Sequence, residues 1–511
     1  MIDIFYNQQV NPMQSRAGAD HAAAKSAATG ATQAEALAAA VAASNPDIAT
    51  AAAAALRPAS VQEAEDFLTA NPDIHFIDLL IADMNGIVRG KRIDRSALIK
   101  VYEKGISLPA SIFALNIQGT TVEETGLGLE IGDADRICLP IPGTLKVEPW
   151  QKRPTGQLLM TMYELDRETP FFADPRFVLQ QAVDRFQALD LTVVSAFELE
   201  FYLIDQENIS GRPQPPRSPI SGKRPNSVQV YSIDDLDEYA EFLEDVIEAA
   251  HEQGIPADAI VAESAPGQFE VNLRHVDDPV QACDFSVLLK RVIKSVAYDH
   301  EMDTTFMAKP YYDQAGNGMH VHISLLDKDG KNIFAPDADG NLSDMLRWAI
   351  GGMLESLPQY MAFLCPNVNS YRRFSPSFFV PCAPTWGLDN RTVAVRVPTG
   401  DPEAMRIENR LAGADANPYL LMAALLSAIH HGISNRIDPP PMTEGNAYDQ
   451  HEASLPTNLR DALRELEHSP VMQQYIGEEY LDVFVLCKEN ELAEFEQTIS
   501  DLEYMWYLHT V

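Results

Sequence analysis

The segment FELEFYLI constrains this chain more than any other, because its alternation fits a β-strand with carboxylates on one face. On a period-two backbone Phe197, Leu199 and Phe201 share one face. Glu198 and Glu200 share the other, roughly 7 Å apart at the usual strand rise. The pattern recurs. In QFEVNLR, Glu270, Asn272 and Arg274 lie opposite Phe269, Val271 and Leu273. In MHVHIS, His320, His322 and Ser324 lie opposite Met319, Val321 and Ile323. TVAVRV projects Arg396, and RIENR aligns Arg406, Glu408 and Arg410. A half-buried antiparallel strand ordinarily has one wet face, and such a face mixes Lys, Ser, Thr and Gln. These faces are dominated by Glu, His and Arg, without Lys. Carboxylate oxygens with an imidazole suit Mg²⁺, and tolerate Mn²⁺. Clustered buried carboxylates cost several kcal/mol each unless a cation sits among them. The rival reading is a Glu–Arg salt-bridge network with no metal, since arginine is abundant in the same segments.

The remaining composition narrows the field. Lys and Arg number 38 against 74 Asp and Glu, a net charge of −36 over 511 residues. That disfavours a nucleic-acid binder, whose affinity comes from neutralising phosphates, and suits the handling of cations. The five cysteines are scattered, with no CxxC, as expected of a reduced cytoplasmic chain. MIDIFYNQQVN lacks the basic and apolar regions of a secretory leader. The apolar run from Pro418 to Ile429 is too short to span a bilayer, so no membrane partner is expected.

Residues 1–60 carry 22 alanines and few large apolar side chains, and read as an extension without chemistry. IHFIDLLIAD and IVRGKRID, joined by Asn85-Gly86, predict a β-hairpin. Short strands and turns follow to about residue 165. Asp174-Pro175-Arg176 then predicts a helix start, with Asp174 as N-cap and proline at the first helical position. The expected organisation is an extension over 1–60, a small β-rich domain over 61–165 and a larger α+β domain over 166–511. The aromatic ending DLEYMWYLHTV suits a docking contact.

Six segments occur in the order and spacing of the glutamine synthetase superfamily: FELEFYLI, AESAPGQFEVNLR, TTFMAKPYYDQAGNGMHVHISL, NSYRRFSP, LDNRTVAVRVP and PEAMRIENRLAGADANPYLLMAALL. The chain resembles that family over about 61–511. DMNGIVRGKRI and the stretch from NSYRRF to TWG most resemble its γ-glutamylpolyamine and γ-glutamylputrescine synthetase branch. The resemblance implies an α+β fold, with a small N-terminal β-grasp domain before a larger catalytic domain on an antiparallel sheet. It also implies hexameric rings or dodecamers with active sites between subunits. By the same match, Glu200, Glu263 and Glu270 bind a first metal, and Glu198, His320 and Glu408 a second, for two to three Mg²⁺ or Mn²⁺ per site. His322, Ser324, His275, Arg396 and Arg406 match ATP-binding positions. Gly316 and Arg373 match groups that hold glutamate, and Arg391, Arg396 and Arg406 the guanidinium groups around the transferred phosphoryl and its neighbours. The implied partners are ATP, L-glutamate and an amine. The implied chemistry passes through γ-glutamyl phosphate.

Departures from the family pattern carry information. Phe379 stands where ammonia-using members have a glutamate that binds and deprotonates ammonium, and Pro109 falls where they have a second acidic contact. Phe374, Phe378, Val380, Trp386 and Leu388 extend the apolar character. An organic primary amine is therefore expected in place of ammonia. An arylamine, already neutral at pH 7, needs less help in losing a proton than an alkylammonium of pKa about 10, which favours apolar alkyl- or arylamines slightly over polyamines. Ammonia-dependent glutamine synthesis and a catalytically silent scaffold are the alternatives. Glu403 replaces a lysine, Ala315 an asparagine and His275 an aromatic residue of the family pattern.

Overall fold

In the computed structural model, residues 59–207, 211–375 and 378–511 are described; the expected extension over 1–60 lies almost wholly outside them. The Asn85-Gly86 signal gives a hairpin of β1 (Phe76–Ala82) and β2 (Val88–Asp94), paired antiparallel. These strands join β3 (Ile106–Pro109), β4 (Asp135–Pro140), β5 (Lys146–Val147) and β6 (Thr155–Tyr163) in a sheet ordered β2-β1-β6-β4-β3, with β5 also on β6. In this sheet β1 and β6 run parallel. One face packs with the helices Val61–Ala70 and Leu98–Lys104 around Ile77, Leu79, Phe113 and Leu158.

The second sheet is larger. It contains β7 (Thr192–Asp205), β8 (Ala257–Ala262), β9 (Gln268–Leu273), β10 (Met302–Thr305), β11 (Met319–Leu326), β12 (Trp386–Leu388), β13 (Val395–Val397) and β14 (Ile407–Asn409). Its order is β12-β13-β14-β11-β7-β9-β8, with β10 along the end of β7. The expected antiparallel arrangement holds except that β12 and β13 run parallel. The apolar face read from the alternation is fully inside: Phe197, Leu199, Phe201, Val271, Met319 and Val321 have no exposed surface. They belong to one core with the helices Pro279–Asp299, Asp344–Leu364 and Pro418–Asn435. The last two helices cross closely, since a Cβ on Gly352 would stand 2.4 Å from the Gly432 Cα. The apolar run at Pro418 is thus a core helix buried on all sides, and no described helix is long and apolar enough to cross a membrane.

The helix start at Asp174 does more than cap. Its carboxylate accepts from Arg176 N, from Thr161 Oγ1 at 2.8 Å and from Met162 N at 2.9 Å, so it ties the helix Pro175–Gln187 to β6. Removing it strands two buried donors and a cap. Asp174→Ala should cost about 2–4 kcal/mol, read as a fall in the denaturant midpoint at constant slope.

Candidate active site

Cross-strand register builds the polar face of the larger sheet. Glu198 on β7 lies directly opposite His320 on β11 and Asn272 on β9, and Glu200 lies opposite Glu270. One strand further out, His322 faces Glu408 on β14, and Glu408 faces Arg396 on β13. Directly opposed residues have Cβ atoms about 5 Å apart, so side chains distant in sequence converge on one patch. Glu263 arrives from the turn after β8, where its backbone N–H donates to Gln268 O.

Three triples of ligand atoms each lie within 4.8 Å of one another: Glu200–Glu263–Glu270, Glu198–Glu270–His320 and Glu198–His322–Glu408. The first is the set that the family resemblance implies for one metal. The second expected set, Glu198, His320 and Glu408, is divided between the other two triples. Glu198 stands between both imidazoles, 3.1 Å from His320 Nδ1 and 2.9 Å from His322 Nε2.

The electrostatics separate metal from salt-bridge readings. Glu408 is clasped by Arg396, at 2.6 Å, and by Arg410, so at this residue the arginine network is real. Those cations, with His320 and His322, outweigh burial and hold its carboxyl below the usual range. Burial would likewise raise Glu198, but hydrogen bonds from His320 and then His322 hold it low. Glu200, Glu263 and Glu270 have no arginine or lysine within ion-pair distance among the described residues. Burial and then the Glu200 charge push Glu263 up to about 7. Burial, followed by the charges of Glu198, Glu200 and Glu263, raises Glu270 well above its ordinary value. Three carboxylates, two buried and one half-buried, with no arginine or lysine beside them among the described residues, fit a hard divalent ion.

A pH dependence follows from these directions. Both groups bind more protons folded than unfolded between about 4.5 and their raised values, so metal-free stability falls as pH rises through that window. A divalent cation needs the ionised carboxylates, so the stabilisation it adds grows over the same window. The rise in Tm with Mg²⁺ or Mn²⁺ should be several-fold larger at pH 8 than at pH 5.5. Equal shifts at the two pH values would remove these carboxylates as ligands.

Other expected residues surround this patch. Arg373 is 3% exposed and donates from Nη1 to Leu411 O at 2.8 Å. Gly316 packs under it, where a Cβ would sit 2.4 Å from Ala308 O and 2.6 Å from Arg373 Cγ; only glycine fits. Arg391 donates to the Tyr231 hydroxyl at 2.8 Å, and its charge acts on Glu263, Glu198 and Glu408. Arg406 Nε donates to His322 Nδ1 at 3.2 Å. His275 meets the His322 ring edge-on at 5.8 Å, and burial, then His322 and Arg406, pull it down to about 4, leaving a neutral ring. Ser324 is buried further along β11 on the same side as His320 and His322. Buried Nε atoms of Arg373, Arg396 and Arg410 have no protein partner, so donors for anionic groups are still available.

The apolar residues divide. Phe379 is 61% exposed with φ 55°, in the left-handed region. Phe378 is half-buried beside it. Trp386 packs into the large core, with its indole N–H donating to Pro440 O. Pro109 ends β3 in the smaller sheet.

Several members escaped the sequence reading. Gly318 N donates to Glu200 Oε2 at 2.7 Å, and a Cβ there would lie within 3.3 Å of Arg373, Glu200 and His320. Gln268 donates to Gly316 O and Asn317 Oδ1. Arg410 was in view through the RIENR alternation. Tyr231 was not, because no local pattern links it to a residue 160 positions away.

Comparison with known proteins agrees with this geometry. Residues 172–507 match the glutamine synthetase catalytic domain. The chain is 45% identical to γ-glutamylputrescine synthetase PuuA of Escherichia coli strain K12, covering 88% of this chain and 95% of that protein. It is 32% identical to the γ-glutamylethanolamide synthetase GlnA4 of Streptomyces coelicolor, covering 87% and 95%. The solved structure of GmaS without ligand superposes with a TM-score of 0.74 at 28% identity, over 86% of this chain and 98% of that one. A catalytic-domain match over well over half the chain, on a sheet that gathers the family's carboxylates, means that this protein belongs to the glutamine synthetase family.

Proposed function

We propose that this protein is an ATP-dependent ligase that joins the γ-carboxylate of L-glutamate to an organic primary amine through γ-glutamyl phosphate. The carboxylate patch edged by Arg373, Arg391 and Arg396 supports the reading, together with Phe379, which stands in the sequence where the family resemblance puts the ammonia users' glutamate. Glu200, Glu263 and Glu270 would hold one Mg²⁺ or Mn²⁺, and Glu198, His320 and Glu408, with His322 adjacent, a second. The ions supply charge neutralisation at the phosphates and the glutamate carboxylate. The side chains do the rest. Arg373 and the Gly316 loop orient glutamate so that its γ-carboxylate meets the γ-phosphorus of ATP, and ADP leaves. Arg391 and Arg396 balance the charge on the transferred phosphoryl, and such positioning and charge balance make up most of phosphoryl-transfer catalysis. The neutral amine then attacks the acyl carbon and phosphate departs. His322, Ser324, Arg406 and the uncharged His275 ring form the nucleotide side.

The amine is organic. Relatives named for putrescine, isopropylamine and ethanolamine ligation support that class. Putrescine is the first candidate, from the relative at 45% identity, and the net charge of −36 favours approach of a dication. That ranks it ahead of the apolar amines favoured by the aromatic residues alone. The small sheet reads as a β-grasp domain over 61–165, followed by a catalytic domain over 166–511. The family's ring or dodecamer supplies the assembly, for which the exposed Tyr504, Met505, Trp506 and Tyr507 offer a contact.

Phosphate release with ATP, Mg²⁺ and L-glutamate, scanned over ammonia, ethylamine, isopropylamine, aniline, putrescine and spermidine, tests the reading. Turnover with an organic amine at least tenfold above ammonia is the expected result. Ammonia as best substrate would overturn the Phe379 argument, and no turnover with any amine would leave a silent scaffold.

A further inference from the structure

Lys309 is a buried cation that none of the roles above uses. It is 6% exposed, with no carboxylate within ion-pair distance among the described residues. An ammonium removed from water without an anion is costly, so its remaining partners define what it does. Nζ donates to Gln314 O, at the start of the loop that carries Gly316 and Gly318. It also stands 3.7 Å from the centroid of the Phe378 ring. The backbone of Lys309 is tied independently. Its N–H donates to Asn369 Oδ1 at 2.8 Å, and its carbonyl accepts from Asn369 Nδ2 at 3.0 Å. Those hooks, with Arg373 packed on Gly316, join the two segments without help from the ammonium. The ammonium is therefore left to bridge the Gln314 carbonyl and one aromatic ring.

We propose that Lys309 is a positioning residue that holds Phe378 against the Gln314–Gly318 loop, fixing the apolar wall beside the glutamate site so that amine, and not water, reaches the acyl phosphate. This rests on the ligase reading. When the wall loosens, a water oxygen attacks the γ-carbonyl carbon and the bond from that carbon to the phosphate oxygen breaks. Glutamate and phosphate leave, a proton passes to solvent, and ADP has formed without amide. Two charged groups face the ammonium. Burial, and then Arg373, pull Lys309 down to about 8, while Asp313 opposes them. Cation–π attraction is lost with the proton, so the wild-type amide yield per ADP falls above about pH 8. Arginine stays charged throughout, so Lys309→Arg keeps its yield there.

Four proteins test this: Lys309→Met, Lys309→Arg, Phe378→Leu and the Met–Leu double variant. Two readouts apply, amide formed per ADP with putrescine and the rate of chymotryptic cleavage after Phe378 and Phe379 in metal-free protein. Loss of one desolvated cation–π contact predicts changes of about fivefold in both for Lys309→Met, with amine KM raised and kcat within about twofold. Lys309→Arg should behave as wild type, and the double variant should be no worse than either single change. Unchanged cleavage and coupling in Lys309→Met, or additive effects in the double variant, would overturn the proposal. If wild type forms no amide while cleavage responds as stated, the ligase reading falls and the clamp stands. If wild type forms amide and both readouts stay flat in Lys309→Met, the clamp falls alone.

Discussion

Glu270→Gln lowers glutamate-dependent ADP formation by about a thousandfold, the equivalent of ~4 kcal/mol of lost charge stabilisation. Glu270 is chosen because it belongs to two of the three ligand triples, joining Glu200 and Glu263 on one side to Glu198 and His320 on the other. In the register β9 sets it directly opposite Glu200. The same substitution removes a buried carboxyl that burial, and then the charges of Glu198, Glu200 and Glu263, make costly to ionise. Metal-free Tm at pH 8 should therefore rise or hold, while the increment from Mg²⁺ or Mn²⁺ shrinks. Activity lost together with metal-free stability would point to misfolding, and an unchanged metal increment would take Glu270 out of the ligand set.

Phe379→Glu raises kcat/KM for ammonia by about a hundredfold, at the low end of what a positioned acid–base group contributes. A carboxylate there both attracts ammonium and accepts its proton, the two functions that the wild-type ring cannot perform. The residue is 61% exposed and already adopts φ 55°, so the substitution adds no burial cost and little new backbone strain. Turnover with organic amines should fall in the same variant, because the apolar edge becomes charged. Steady-state phosphate release with ammonia and with putrescine measures both. Ammonia use unchanged from wild type would mean that position 379 does not face the attacking nitrogen.

Much of this site was legible before any coordinates. Strand periodicity put Glu198 with Glu200, and His320 with His322, on polar faces opposite apolar ones, and the structure buries those apolar faces completely. The reason is local: alternation is a property of each strand alone, and burial on one side follows from it. Register is not local. Which carboxylate meets which imidazole depends on how β7, β9, β11 and β14 slide past one another, so the second expected triple came out divided between His320 and His322. Trp386 shows the same limit. Its aromatic character suggested a substrate wall, and three-dimensional packing instead turned it into the core.

The amino-acid sequence by itself determined the chemistry of this protein: hard oxygen donors with imidazole and arginine, on strands whose other faces must be inside, and a phenylalanine where an ammonium ligand is expected. Tertiary structure decided which of those groups share a charge. Glu408 is neutralised by Arg396 and Arg410, whereas Glu200, Glu263 and Glu270 have no arginine or lysine within ion-pair distance among the described residues. It also brought Tyr231 to Arg391 and Lys309 to the Phe378 ring. Coulomb energy depends on separation and burial, and neither is written in the spacing of residues along one chain.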